Sequence, residues 1–177
     1  MPSDLDLQRL KSSIRDVPDF PKPGILFKDI TPVLGDPEIF RIAIECFMES
    51  TKAAGVDKIV GIDARGFLFG AVVAYELGLG FVPVRKKGKL PYRCQSAAYT
   101  LEYGEAVVEM HIDGLRPGER VVLIDDLLAT GGTAAAAAVL IEKMGAVLVE
   151  AQFLIELEFL EGRESLPKGA VKSFLRF

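Results

Sequence analysis

The chain has 177 residues, 50% of them hydrophobic and 26% charged, enough for one sizeable core and little more. A formal net charge of -4 with a pI near 5.2 excludes a general attraction to nucleic acid or to an anionic membrane, so any local basic cluster needs a local reason. Cys46 and Cys94 are far apart and match no metal spacing, His111 is the single histidine, and a zinc centre built on them is excluded.

The opening stretch MPSDLDLQRLKSS is too charged for the apolar region of a signal peptide, and no apolar run reaches the ~18 residues of a membrane helix. A soluble, unexported protein of the reducing cytoplasm is expected, with no membrane and no nucleic-acid partner. Leu5, Leu7, Leu10 and Ile14, set among acids, bases and serines, predict a short amphipathic helix. Pro18, Pro21 and Pro23 break it. The following DFPKPGILFKDIT, residues 19–31, is expected to be rigid and irregular, with Phe20, Ile25, Leu26, Phe27 and Ile30 in need of cover.

Residues 36–54 predict the first long helix, with Pro37 in its first turn and Gly55 ending it. Lys58 to Ile62, KIVGI, reads as a strand, followed by the turn Asp63-Ala64-Arg65-Gly66 and a helix over 67–77. Residues 80–85 predict another strand, running into the basic stretch Arg85, Lys86, Lys87, Gly88, Lys89. Residues 99–103 and 106–112 alternate as two strands of a hairpin arm around Gly104-Glu105. Repetition of strand, polar glycine turn and helix argues for a mostly parallel α/β sheet with its ligands at the carboxyl ends of the strands.

The rest is organised around VVLIDDLLATGGT, residues 121–133. Val121 to Ile124 suits a buried parallel strand that delivers Asp125 and Asp126 at its end. Thr130, Gly131, Gly132 and Thr133 then form a short loop before a helix over 134–144. Glycine lets backbone N–H groups aim at an anion, and a helix N-terminus adds roughly half a positive charge. One phosphate suits the loop, and acids beside it suit sugar hydroxyls or a bridging divalent cation, so a sugar phosphate reconciles the two. A Walker loop and a dinucleotide fingerprint are both missing from this spacing. The alanines 134–138 are structural helix formers, residues 146–156 and 171–177 read as further strands, and residues 162–169 as a loop.

The composite of apolar strand, acid pair and TGGT loop resembles the 5-phosphoribosyl 1-diphosphate (PRPP) motif of the type I phosphoribosyltransferases. With PGILFKDI (23–30), ARGFLFG (64–70), RKKGKLP (85–91) and LEYG (101–104) in this order before it, the chain resembles the adenine phosphoribosyltransferases over nearly its whole length. That resemblance implies a single domain, 1–177, with an N-terminal hood over 1–34, an α/β core over 35–177 and a flexible loop. It implies the reaction of purine salvage, adenine plus PRPP giving AMP and diphosphate, with Mg2+ held mainly by the PRPP diphosphate and no direct protein ligand, and a homodimer.

Residue by residue, the resemblance implies that Ala129, Thr130, Gly131, Gly132 and Thr133 grip the 5-phosphate and that Asp125 and Asp126 hold the ribose hydroxyls. Asp63 and Ala64, joined by a cis peptide bond, form a diphosphate turn with Arg65, and Arg85 and Lys89 join it as catalytic cations. Glu102, from pattern alone an ordinary outward-facing strand residue, is implied as the catalytic proton acceptor. Leu26, Phe27 and Lys28 are implied as the adenine-binding segment, although many relatives carry arginine where Lys28 stands. A transferase for guanine, hypoxanthine or xanthine is the alternative, and a PRPP-binding regulator a more distant one, since no winged-helix pattern or basic stripe is present. His111 and the two cysteines read as structural.

Overall fold

A computed structural model of the chain describes residues 2–101 and 104–177, which divide into two compact units, Met1–Glu49 and Ser50–Phe177. In the first unit, helix α1 (Asp4–Ser12) is opened by a capping box: the Ser3 hydroxyl accepts the Asp6 N–H at 3.2 Å and the Asp6 carboxylate takes the Ser3 N–H at 3.0 Å. Strands β1 (Arg15–Pro18) and β2 (Leu26–Asp29) pair antiparallel, Arg15 opposite Asp29 and Pro18 opposite Leu26. Four of the thirteen residues of the expected irregular segment, Leu26–Asp29, are therefore strand. The partner of β2 ends on Pro18 and lies before Pro21 and Pro23, and a pairing of four residues leaves too short an alternation to be read locally. Within the turn the Phe20–Pro21 bond is cis and the Phe20 ring meets Phe27 edge-on at 5.2 Å. A one-turn helix α2 (Thr31–Gly35) follows. Helix α3 (Pro37–Ala54) starts where the Asp36 carboxylate accepts the N–H groups of Glu38 and Ile39, and it runs on into the second unit.

The second unit holds strands β3 (Lys58–Ile62), β4 (Gly80–Lys86), β5 (Cys94–Leu101), β6 (Gly104–His111), β7 (Arg120–Leu128), β8 (Val147–Glu156) and β9 (Val171–Arg176), with helices α4 (Arg65–Leu77) and α5 (Gly132–Lys143). They form one seven-stranded sheet in the order β5-β6-β4-β3-β7-β8-β9. Its β4 to β9 side is parallel, and the β5–β6 arm joins antiparallel through Arg85–Glu109 and Lys86–Val108. The expected mostly parallel α/β sheet is thus present.

Alternation along the strands assigns the helices to opposite faces. Val60, Val121 and Leu123 share a buried cluster with Ala134, Ala137, Leu140 and Ile141 of α5. On the other face Ile59 and Ile124 lie under α4. There a methyl at Gly70 would sit 2.9 Å from the Phe81 ring, and one at Gly66 2.7 Å from the Ile124 carbonyl oxygen. Glycine at these positions lets α4 lie almost on the strand backbone. Strand β7 runs three residues past Asp125, because β8 pairs with it as far as Leu128–Glu156. Among the described residues no buried side-chain nitrogen or oxygen lacks a hydrogen-bond partner, and no helix is long and apolar enough to cross a membrane.

Candidate functional site

The carboxyl ends of β3, β4 and β7 meet along one edge of the sheet, where the parallel order and the crossover helices leave the strand tips open. A cavity of about 520 Å³ lies there, lined by Ile62, Asp63, Ala64, Arg65, Val84, Lys86, Tyr99, Val108, Asp125, Asp126, Leu127 and Thr133. A second, of about 410 Å³, is lined by Leu128, Ala129, Thr130, Gly131, Gly132 and Ala134 and shares Tyr99, Asp125, Leu127 and Thr133 with the first. The shared wall makes the two neighbouring compartments of one trough.

The larger compartment is a field of charge pairs. The Arg65 Nε donates to the Asp126 carboxylate, whose side chain is only 6% exposed, while the Arg65 side chain is 47% exposed. The Arg85 Nε donates to Asp63 at 2.8 Å and its Nη1 to the Lys89 carbonyl at 3.1 Å, which ties the basic turn to the tip of β3. The Asp63–Ala64 peptide bond is cis, as the resemblance implies. From below, the buried Glu109 carboxylate accepts the Gly88 N–H at 2.9 Å and the Ser96 hydroxyl, so the turn carrying Lys86 to Lys89 is anchored on the β5–β6 arm.

Asp125 stands between the compartments and accepts the Asp126 N–H at 2.9 Å. Loss of solvent, reinforced by the neighbouring charge of Asp126, pushes its carboxyl well above the usual carboxylate range, against the pull of Arg65. In its neutral form it offers an O–H donor as well as acceptor oxygens, which suits a hydroxyl-bearing ligand.

The smaller compartment is built from backbone. Gly131 has φ +81°, a conformation that side chains disfavour, and it precedes α5, whose first turn has no side-chain cap. The opening N–H groups of α5 and the Thr130 and Thr133 hydroxyls are therefore the donors that an anion in this compartment would meet.

The structure brings together Asp63, Ala64, Arg65, Asp125, Asp126 and Ala129 to Thr133 around the trough. Arg85 and Lys89 are not among its lining residues and stand at the rim, Arg85 through its pair with Asp63. Glu102 lies outside the described residues. Leu26, Phe27 and Lys28 lie on β2 in the first unit, where the Lys28 Nζ pairs with Asp16 at 2.5 Å. Sequence reasoning missed Tyr99, which lines both compartments, and Glu109. Tyr99 carried a signal only in its nearness to LEYG. Glu109 carried no local signal, because its partner Gly88 is twenty-one positions away. Cys46 is buried and its thiol is pushed up to about 12 by that burial, in keeping with a structural residue.

Residues 36–170 match the family model described as phosphoribosyl transferase domain. Over 171 residues, 97% of this chain and the whole of the other, the chain is 53% identical to the adenine phosphoribosyltransferase of Nitrosococcus oceani. The crystal structure of the adenine phosphoribosyltransferase of Rhodothermus marinus superposes with a TM-score of 0.93 at 52% identity, covering 99% of this chain and 100% of that one. The Saccharomyces cerevisiae adenine phosphoribosyltransferase complexed with D-2,5-dideoxy-2,5-imino-altritol 1,6-bisphosphate and adenine superposes at 0.94 with 42% identity, covering 98% and 100%.

Proposed function

The chain belongs to the phosphoribosyl transferase family, and on that premise we propose that it is an adenine phosphoribosyltransferase of purine salvage, converting adenine and PRPP to AMP and diphosphate. The observation that carries this reading is the arrangement of the trough: a backbone anion loop and a charged compartment meet at the acid pair Asp125–Asp126. A molecule with a phosphate at one end, a diphosphate at the other and ribose hydroxyls between them has that distribution of groups.

In this reading Ala129 to Thr133 hold the 5-phosphate, while Asp125 and Asp126 hold the ribose hydroxyls. Asp63, Ala64 and Arg65 receive the diphosphate, and Arg85 and Lys89 approach it from the rim. The bond from C1 of the ribose to the diphosphate oxygen breaks as the adenine nitrogen bonds to C1, through an oxocarbenium-like state in which the diphosphate gains negative charge. Arg65, Arg85 and Lys89 stabilise that charge, and desolvation by the trough strengthens the effect. Glu102 accepts the proton that the adenine nitrogen loses. Leu26, Phe27 and Lys28, on an N-terminal hood of residues 1–34 that precedes the α/β core of residues 35–177 in the chain, read the base.

Magnesium would be held mainly by the PRPP diphosphate, with no direct protein ligand, and the acids Asp125 and Asp126 lining this compartment would shape the charge around it; when bound it supplies neutralisation of the leaving group. We place the protein in the cytoplasm and expect a homodimer, which light scattering after size exclusion tests.

The test of the reaction is diphosphate release from PRPP and magnesium with adenine, guanine, hypoxanthine or xanthine offered separately. Release with adenine alone, together with AMP, is expected. Release with another purine instead overturns the base assignment, and PRPP binding with no release in any case overturns the enzyme. Glu102→Leu should lower kcat by about 10²-fold or more while PRPP affinity stays within about twofold; unchanged turnover removes Glu102 from its role.

A further inference from the structure

The loop that meets the 5-phosphate is backed by a segment to which no role has been given. After β8 the chain folds back through two 3-10 turns, Glu158–Leu160 and Gly162–Ser165. Gly162 is buried directly behind the loop, and a methyl group there would overlap the Ala129 carbonyl oxygen and lie 3.0 Å from the Gly131 nitrogen. The fit is mutual, since a methyl at Gly131 would overlap the Gly162 carbonyl oxygen and approach the Ser165 Cβ to 2.9 Å. The Ser165 hydroxyl donates to the Thr130 carbonyl at 3.0 Å.

The turn is itself held in place. Arg163 makes a two-pronged pair with the buried Glu156 carboxylate, at 2.9 Å through Nε and 2.6 Å through Nη2, and donates through Nη1 to the Val171 carbonyl at 3.0 Å. Glu156 also accepts from the Ser173 hydroxyl, and Leu166 closes the segment into the core. Glu156 is the residue opposite Leu128, so the anchor sits beside the point where β7 passes into the loop.

We propose that Gly162 and Ser165, seated by the Arg163–Glu156 pair, are positioning residues that set the orientation of the phosphate-gripping loop; the assignment rests on the sugar-phosphate site proposed for that loop. In a trans peptide the C=O and N–H point to opposite sides. The Ser165 hydroxyl on the Thr130 carbonyl, with the Ala129 carbonyl oxygen packed against Gly162, therefore turns the N–H groups of Thr130 and Gly131 away from those carbonyls, for the compartment these residues line. Without the buttress, the carbonyl oxygens are free to rotate towards an anion, which repels it.

The test uses the full chain with Ser165→Ala and Gly162→Ala. Ribose 5-phosphate affinity is measured by calorimetry, KM for PRPP and for adenine together with kcat, and the melting temperature of each variant. Ser165→Ala should weaken ribose 5-phosphate and raise KM for PRPP by about fivefold, the worth of one hydrogen bond, with KM for adenine and kcat within about twofold. Gly162→Ala should weaken both by about 10²-fold, since backbone must shift; if it fails to fold, Ser165→Ala decides alone. Unchanged ribose 5-phosphate affinity in Ser165→Ala overturns the proposal. So does a loss spread equally over adenine and kcat with a lower melting temperature. Weakened ribose 5-phosphate binding in a protein whose wild type forms no AMP keeps the buttress and overturns the reaction, whereas a wild type that does not bind ribose 5-phosphate overturns both.

Discussion

The turns after β3 and after β7 are built to one plan, a buried strand, a polar turn and an uncapped helix, yet in the proposed function they would meet negative charge by different means. After β3 the work falls to side chains: Arg65 on Asp126, Arg85 on Asp63, with the Arg65 guanidinium partly in solvent. After β7 it falls to the backbone of Thr130 to Thr133, with Gly131 at φ +81° and the 162–165 turn packed behind it. Side-chain cations on flexible stems can follow a group whose charge and position change, as a departing diphosphate does. Backbone donors fixed by packing suit a group that stays where it is, as the 5-phosphate would in the proposed reaction.

If that division of labour holds, the two turns should fail differently. Arg65→Met should cost about 10²–10³-fold in kcat/KM for PRPP, because it removes the diphosphate contact proposed for Arg65 and leaves Asp126 buried without its Arg65 pair. Arg65→Lys should recover only part of that, since an ammonium cannot make the same fork. A loss confined to KM in steady-state kinetics would show that Arg65 acts on the ground state alone and would break the contrast. Gly131→Ala should come next, at about 10²-fold in KM for PRPP with kcat changed less than threefold, for it strains the backbone at positive φ and collides with Gly162. A fall in kcat instead would mean that the loop also takes part in the chemical step.

The smallest effect concerns Asp125 at the junction of the two turns. Its folded-state carboxyl titrates above the ordinary value of 3.8, so the folded chain holds a proton that the unfolded chain has released. The corresponding stability is fully present below that value and is lost as pH rises through the folded-state value. Wild type should therefore lose a few degrees more of melting temperature between pH 5 and pH 8 than Asp125→Asn, which keeps the acceptor for the Asp126 N–H and cannot ionise. Parallel melting curves for the two across that range would remove Asp125 as the source. Glu156 has the opposite sign: Arg163 holds it below its ordinary range, so its contribution is present at neutral pH and lost on acidification. A thermal scan of wild type below pH 5 against Glu156→Gln separates the two.

Much of this was legible in the residues themselves. The alternation of apolar runs with glycine turns and amphipathic stretches carries the parallel sheet, because strand and helix periods are local properties of the chain. The acid pair and the TGGT loop could be proposed as a sugar-phosphate site because glycine's freedom and a helix N-terminus are also local. The resemblance carried by four motifs and the loop agrees with the 53% identity to a relative over 97% of the chain. What stayed hidden depends on distance along the sequence. Glu109 meets Gly88 across twenty-one positions, Ser165 meets Thr130 across thirty-five, and Arg65 meets Asp126 across sixty-one. The hairpin of β1 and β2 was missed because proline punctuation hid a partner on its far side, and β7 runs past its acids because β8 extends beside it. Residue type and spacing settle which groups the chain can offer a ligand, since those are intramolecular preferences a few residues long. Which carboxylate is paired, which is pushed towards neutrality and which loop is held rigid follow from contacts that exist only once the sheet has assembled.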